Sequence, residues 1–535
     1  MDIRKYHGIV EGFFSDPLPA WTHQERLTTL RFIVENCPRI NTYVYAPKND
    51  QWVTQRPFDL YPEKKIRELR ETVARCQRQK ITFVYGLNPT FIAEQINQNF
   101  EAYIRAISKK ISQLHSVGVR NFCILYDEIP FALNFDEAKI TSQKDTAIGK
   151  MHARILNALR ERLSGTIEAL WFCPPDYSFT RATPYLGALL KNLDISIPIV
   201  WTGDGIFTQK ISSALLKKGR SVVGPERDII YWDNYPVNDC PHPVGTFHIG
   251  AFNAPSPEAH AELKGILVNP MRECFANFIV YLTLEHYLRS PRLYDRSKAF
   301  SRACRLLLGA DWQRYKSLYE TFSAKNIVDD APRGYYKRLL KKKASLAGIV
   351  TALGKEMKAV ARPRLVEGRL FVETTSAVLK RARNMHELFS RILAKRNWEK
   401  YFLAHDSFPV TLNKKYLTRQ FTVLVKRLAV ADAYSGKKSP LITAITQMLS
   451  SNNFSTPHEK AQTELEKNLI GLLGIFVKYQ HKNRLSITPK DTKKLSEILT
   501  ALIGLEQRLF IEKTHSLSAA KKIQALVARS QINFY

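Results

Sequence analysis

The chain has little of what would tie it to an oxidising compartment, a metal or a membrane. Its seven cysteines, at 37, 76, 123, 173, 240, 274 and 304, are odd in number, irregularly spaced and never form a CxxC pair. Most stand inside apolar runs such as Phe122-Cys123-Ile124, so buried free thiols are expected rather than disulfides or a zinc site. The longest apolar stretches, such as Leu469–Val477, fall far short of a membrane span. Met-Asp-Ile-Arg-Lys-Tyr-His at the start lacks the apolar run of a secretory signal, so a soluble, cytoplasmic protein is expected. A phosphate-binding loop is missing too. Gly348-Ile-Val-Thr-Ala-Leu-Gly354-Lys355 has one residue too many between its glycines, and Glu356 stands where Ser or Thr belongs. There is no repeat of fixed period and no low-complexity tract. No cofactor or metal is expected.

Acid is also in short supply. Lys and Arg number 80 against 49 Asp and Glu, a formal charge of +31. Beyond residue 330 basic residues outnumber acidic ones by more than two to one. Such a field attracts nucleic acid, anionic membrane surfaces or acidic partners. It equally suits the outer face of an ordinary soluble helical domain, and no recognised nucleic-acid-binding motif accompanies it. At 535 residues, 45% apolar and 24% charged, the chain is globular and too long for one ordinary core.

Over the first 290 residues short β-rich runs alternate with amphipathic helical runs. Strands are expected at Gly8–Phe14, Asn41–Ala46, Ile81–Gly86, Asn121–Tyr126, Ile167–Cys173, Ile197–Thr202 and Ile229–Asp233, with the last at Thr246–Phe252 or Gly265–Val268. Each is a near-continuous apolar run, the pattern of a strand buried on both faces. Helices are expected at Trp21–Cys37, opened by Thr22 as N-cap, and at Glu63–Gln79, Phe100–Val117, Thr146–Leu163 and Met271–Leu288. The fold class is therefore α/β, a (β/α)8 barrel over residues 1–295. From 300 to 535 the strand signal fades. Leu306–Phe322, Gly334–Met357, Leu370–Leu393, Tyr416–Ala433, His458–Tyr479 and Thr492–Leu509 read as helices of a basic, bundle-like domain.

Barrel enzymes carry their chemistry where strands end. Here those ends hold Glu11-Gly12, Pro47-Lys48-Asn49-Asp50, Asp127-Glu128, Asp176-Tyr177, Thr202-Gly203-Asp204, Trp232-Asp233-Asn234 with Asn238-Asp239, and Asn269. Carboxylates, amides, one lysine and several aromatics on one rim describe a sugar pocket, since ring faces stack on aromatics and hydroxyls need paired donors and acceptors. Asp127-Glu128 follows the apolar run Phe122–Tyr126. Two poorly solvated, neighbouring carboxyls repel, which raises at least one pKa and suits a general acid. Adjacency in sequence fits hydrolysis in which the substrate's own 2-acetamido oxygen is the nucleophile. An N-cap Asp beside a solvated Glu is the plain structural alternative.

Seven segments in order carry a resemblance: Gly8-Ile-Val-Glu-Gly-Phe-Phe14, Asn41-Thr-Tyr-Val-Tyr-Ala-Pro-Lys48, Ile124-Leu-Tyr-Asp-Glu-Ile129, Trp171-Phe-Cys-Pro-Pro-Asp-Tyr177, Val200-Trp-Thr-Gly203, Tyr231-Trp-Asp-Asn234 with Asn238-Asp239, and Leu267-Val-Asn-Pro270. Residues 7–290 resemble the catalytic domain of family-84 glycoside hydrolases, β-N-acetylglucosaminidases that include protein O-GlcNAcases. The resemblance implies a retaining enzyme acting on terminal β-linked GlcNAc of a glycan or glycoprotein through an oxazoline. It implies that Asp127 polarises the acetamido N–H while Glu128 is the acid and then the base. Tyr177 and Asn234 would position the acetamido group, Asp239 and Asn269 the distal hydroxyls, and Lys48 with the Gly8 backbone the 3-hydroxyl. Trp232 would form a pocket wall.

The chain departs from the family twice. The family usually carries Asp-Asp where this chain has Asp127-Glu128, and the extra methylene moves the acid by about 1.5 Å on a fixed backbone. Family-20 hexosaminidases run the same chemistry with Asp-Glu. The first motif ends Phe13-Phe14-Ser15-Asp16 where the family tends to have Phe-Tyr-Gly. These departures leave open a second reading, a catalytically impaired barrel that binds GlcNAc or a partner while the basic domain binds nucleic acid or an anionic surface.

Overall fold

The computed structural model describes residues 5–13, 20–89, 99–127, 142–238, 248–309, 312–313 and 366–375. By its contacts the chain divides into two units, residues 1–343 with 351–381, and residues 344–350 with 382–535. All described residues belong to the first. The expected helices over 334–357, 416–433, 458–479 and 492–509 lie outside the described residues, as does most of 370–393. So does the segment 348–356 that falls short of a phosphate-binding loop.

Eight parallel strands close into one barrel in sequence order. They are β1 (Tyr6–Glu11), β2 (Thr42–Tyr45), β3 (Thr82–Leu87), β4 (Asn121–Leu125), β5 (Ala169–Cys173), β6 (Ile199–Trp201), β7 (Ile229–Asp233) and β8 (Gly265–Val268). Ile9 of β1 stands opposite Tyr43 of β2 and also opposite Val268 of β8, which closes the seam. The eighth strand is thus the later of the two candidates; the described part of the earlier one, 248–252, is irregular.

Strand side chains alternate, and every strand is apolar on both faces, so two cores form. Val10, Val44, Ala46, Val84, Cys123, Leu125, Trp171, Val200, Ile230 and Leu267 fill the barrel. Their neighbours in sequence, such as Ile9, Tyr43, Phe83, Ile124, Phe172 and Tyr231, pack outward under the helices. The inner core is crowded, with large rings in edge contact and glycine where a side chain would not fit. Tyr6 and Trp171 meet edge to face at 4.7 Å. A Cβ on Gly86 would come within 2.6 Å of Ala46 Cβ and 2.9 Å of Leu125 Cδ1.

Helices cover the outside: α1 (His23–Asn36), α2 (Glu63–Arg78), α3 (Phe100–Ser116), α4 (Ser142–Arg162), α5 (Pro184–Asn192), α6 (Ser213–Val223), α7 (Pro257–Glu262), α8 (Phe278–Arg289) and α9 (Arg296–Leu308). Thr22 caps α1 in a full capping box with Glu25, as expected. Three short helices, α5 to α7, are not among those expected from sequence. Their signal is instead the cap: Thr183, Ser212 and Ser256 each accept from the backbone N–H three residues on, and Pro184 and Pro257 follow directly. The helix expected from Met271 begins as a 3-10 turn at Cys274, because Asn277 uses its side chain to bond the Met271 backbone at both N–H and C=O. The helix expected from Leu306 is corrected as well. Leu306 lies in the last turn of α9, which starts from the Asp295 cap and stops at Gly309, where φ is +69°. Residues 366–375 are helical, and Phe371 is buried in the outer core. Six cysteines are free and buried, while Cys240 lies outside the described residues. Among the described residues no helix is long and apolar enough to cross a membrane.

One buried and two half-buried histidines make the fold sensitive to acid. Burial pulls His152 on α4 down to about 3, while burial and positive neighbours pull His7 to about 3 and His260 to about 4. Unfolded histidine titrates near 6.5, so the stability they contribute is present above that value and is lost as pH falls toward 4. The Asp233 carboxyl, pushed up to about 7 by burial, acts in the opposite sense, losing stability as pH rises from about 4 to 7. Three groups outweigh one. The melting temperature should fall between pH 6.5 and 4.5, and His152→Gln should flatten that fall; a midpoint constant over this range would refute the account.

Candidate active site at the barrel mouth

The alternation that fills the barrel also selects the residues at its mouth. One inward step above Val10, Ala46, Gly86, Leu125, Val200, Trp232 and Leu267 come Gly12, Lys48, Asn88, Asp127, Thr202, Asn234 and Asn269. Four of these are among the residues expected from sequence. Each follows the C-terminal end of its strand, where backbone pairing ceases and a polar group meets the cavity.

Two clusters result. In the first, Lys48 Nζ donates to Asp127 Oδ2 at 2.5 Å, across the end of β3, with the lysine side chain 2% and the aspartate 10% exposed. A charge-assisted bond this dry is strong, and it keeps both groups from being left buried and unpaired. Asp127 Oδ1 is buried and has no hydrogen-bond partner among the described residues. A buried carboxylate oxygen without a donor is costly, so the site is built to receive one N–H or O–H there.

The second cluster chains β7 and β8. Trp232 Nε1 and Asn269 Nδ2 both donate to Asn234 Oδ1, at 2.9 and 3.0 Å. Asn234 Nδ2 donates to the Ile206 carbonyl at 2.8 Å, and the Gly12 N–H donates to Asn269 Oδ1 at 3.3 Å. The indole of Trp232 lies against Gly12, where a Cβ would come within 2.4 Å of its ring. Gly12 therefore has to be glycine, a constraint not apparent before the indole is placed.

The remaining expected residues are distributed as follows. Tyr177, past the end of β5, packs partly buried against the inner core, and its carbonyl accepts from Thr202 N at 2.9 Å. Gly8 sits lower, inside β1, where a Cβ would come within 1.8 Å of the Thr42 carbonyl oxygen. Glu128 and Asp239 lie outside the described residues. Glu11, which sequence places at a strand end, faces away from the barrel axis. It is fully buried in a bidentate pair with Arg26, at 2.7 and 2.8 Å, and accepts from the Tyr43 hydroxyl, so it is a structural ion pair. Asn88 is absent from the strand ends read in the sequence, and Thr202 is read there as a strand end without a role; inward parity adds both to the mouth.

The chain matches the family described as beta-N-acetylglucosaminidase (NAGidase) over residues 7–323, more than half its length. It is 26% identical over 291 residues to the protein O-GlcNAcases of Rattus norvegicus and Mus musculus, covering 53% of this chain. The match spans only 30% of either relative. Among solved structures it resembles CpGH84B, with a TM-score of 0.56 over 75% of this chain and 72% of that one. It also resembles a mutant O-GlcNAc hydrolase of Thermobaculum terrenum, with a TM-score of 0.57 over 80% and 90%. At 22% identity these two likenesses speak to the fold alone.

Gly12→Ala should push the Trp232 indole off its seat and loosen the Asn234 network, costing about 1–3 kcal/mol of stability as overpacking does. A shifted tryptophan emission with a lower denaturation midpoint would register this; an unaltered spectrum and midpoint would contradict the packing described.

Proposed function

Because this chain belongs to the β-N-acetylglucosaminidase family of glycoside hydrolases, we propose that it is a retaining β-N-acetylglucosaminidase that removes terminal β-linked GlcNAc from a glycan or glycoprotein by substrate-assisted hydrolysis. The observation that carries this reading is the Asp127 carboxylate, one oxygen tied to Lys48 and the other buried and open to a donor. A 2-acetamido N–H is such a donor. Accepting it orients the acetamido carbonyl oxygen toward the anomeric carbon and supports the positive charge that builds on nitrogen as the oxazoline closes. The C1–O bond to the leaving group breaks as Glu128 delivers a proton to that oxygen. Glu128 then takes a proton from water, whose oxygen opens the oxazoline at C1 and restores the original configuration.

The other assignments follow the rim. Asn234, its oxygen already engaged by Trp232 and Asn269, stands rigid beside the wall that Trp232 forms. In this reading Tyr177 and Asn234 hold the acetamido group and Asp239 with Asn269 the distal hydroxyls. Lys48 and the Gly8 backbone reach the 3-hydroxyl. Residues 1–295 form the catalytic barrel; of the basic stretch 300–535, read from sequence as a helical domain, the end of α9 and residues 366–375 belong to the barrel's unit, and its charge suits an anionic partner. The buried free thiols suit a cytoplasmic setting.

Hydrolysis of an aryl β-GlcNAc, inhibited by an oxazoline-mimicking thiazoline, is the test. Asp127→Ala should slow all aryl glycosides, whereas Glu128→Ala should slow those with poor leaving groups most, by about 10²–10⁴-fold. Glu128→Asp, measured alongside, shows whether the pocket is fitted to the longer acid, in which case its rate falls. Protein that binds the thiazoline without turning over substrate would reject hydrolysis and favour the binding-module reading that the Asp127-Glu128 departure motivates.

A further inference from the structure

The loop that delivers Lys48 is held by a group outside the sugar-binding set. Asp50, two residues on, accepts three hydrogen bonds: from the Tyr45 hydroxyl at 2.6 Å and the Tyr61 hydroxyl at 2.8 Å on Oδ2, and from the Trp52 N–H at 2.9 Å on Oδ1. Its backbone joins in, since Asp50 N donates to the Pro47 carbonyl at 3.0 Å and Thr54 Oγ1 bonds the carbonyls of both Lys48 and Asp50. Tyr45 belongs to β2, and Tyr61 is bonded in turn to Tyr85 of β3. Behind them Lys110 of α3 is completely buried, its ammonium 3.9 Å from the Tyr61 ring centroid. Burial brings that amine down to about 8 while the Asp50 charge opposes the fall.

Asp50 accepts with both carboxylate oxygens, and each of these bonds runs to its own loop or to β2. Its bonds lock the chain on both sides of Lys48: Pro47 on one, Trp52 and Thr54 on the other. Lys48 in turn donates to Asp127 at 2.5 Å. We propose that Asp50 is a positioning residue, which fixes the β2 loop so that the Lys48 ammonium sets the Asp127 carboxylate. The step from Asp127 to catalysis rests on the proposed function; the step from Asp50 to Lys48 does not.

The two steps are tested separately. Asp50→Asn keeps the size and removes the charge, and Tyr61→Phe removes one of its donors should Asp50→Asn fail to fold. First, Lys48 in the folded protein is exposed to acetic anhydride and its modification followed by peptide mass. Burial shields it in the unchanged chain, so either variant should acetylate it several-fold faster; equal rates would overturn the proposal whatever the enzyme's activity. Second, aryl β-GlcNAc kinetics are run as a double-mutant cycle with Lys48→Met. Asp50→Asn should lower kcat/KM about tenfold when Lys48 is present and less than about twofold when it is not. The same loss in both backgrounds would make Asp50 a purely structural group and overturn its action through Lys48. Absence of turnover by the unchanged protein would reject the hydrolase reading alone, with the acetylation rates still deciding on Asp50.

Discussion

The structure depends on one constraint, the two-residue alternation of strands closed into a barrel. With eight parallel strands every residue points either to the axis or to the helices, and both sets are apolar. The axis fills with Val, Leu and Trp, and glycines at 8 and 86 accommodate the crowding. Above the last filled layer the same alternation continues by one step and brings Lys48, Asp127, Asn234 and Asn269 to the mouth. Site and core are one periodic pattern cut where the strands stop.

At the mouth, electrostatics decides which polar groups are committed and which are available. Lys48 and Asp127 satisfy each other on one side, as buried opposite charges must. Asn234 has its oxygen engaged by Trp232 and Asn269 and one of its two amide N–H groups by the Ile206 carbonyl. Glu11 spends both its oxygens on Arg26 and Tyr43 outside the barrel. One buried oxygen of Asp127 remains open to a donor among the described residues, and the substrate-assisted reading rests on it. Asp50 shows that a carboxylate near the rim can matter without facing the cavity.

Much of this was legible in the residues themselves. Apolar runs mark seven strands to within three residues at each end and leave the eighth open between two segments, because strands buried on both faces need no partner to be recognised. Long helices with a wide apolar face were equally visible, as in Glu63–Arg78. The short helices α5 to α7 are less visible, since each is announced by a single capping residue rather than by a long apolar stripe. The segment after Met271 misled because its apolar residues continue through a 3-10 turn that Asn277 imposes by side-chain bonding. At the rim, type and position identify Lys48, Asp127, Asn234 and Asn269, and the strand ends also include Gly12 and Thr202, whereas Asn88 looks unremarkable until its neighbours are placed.

By itself the sequence determined the barrel, its polar strand ends and the family, because these follow from local periodicity and from residues at fixed offsets along the chain. Tertiary structure alone decided which charges meet. Lys48 and Asp127 stand 79 residues apart and touch only because β2 and β4 flank β3 in the closed sheet. The same closure turned Glu11 outward to Arg26, seated Trp232 on Gly12 and bound Asn234 to Asn269. Contacts of this kind depend on side-chain direction and on the distance between strands, quantities that no order of residues states before the sheet has closed.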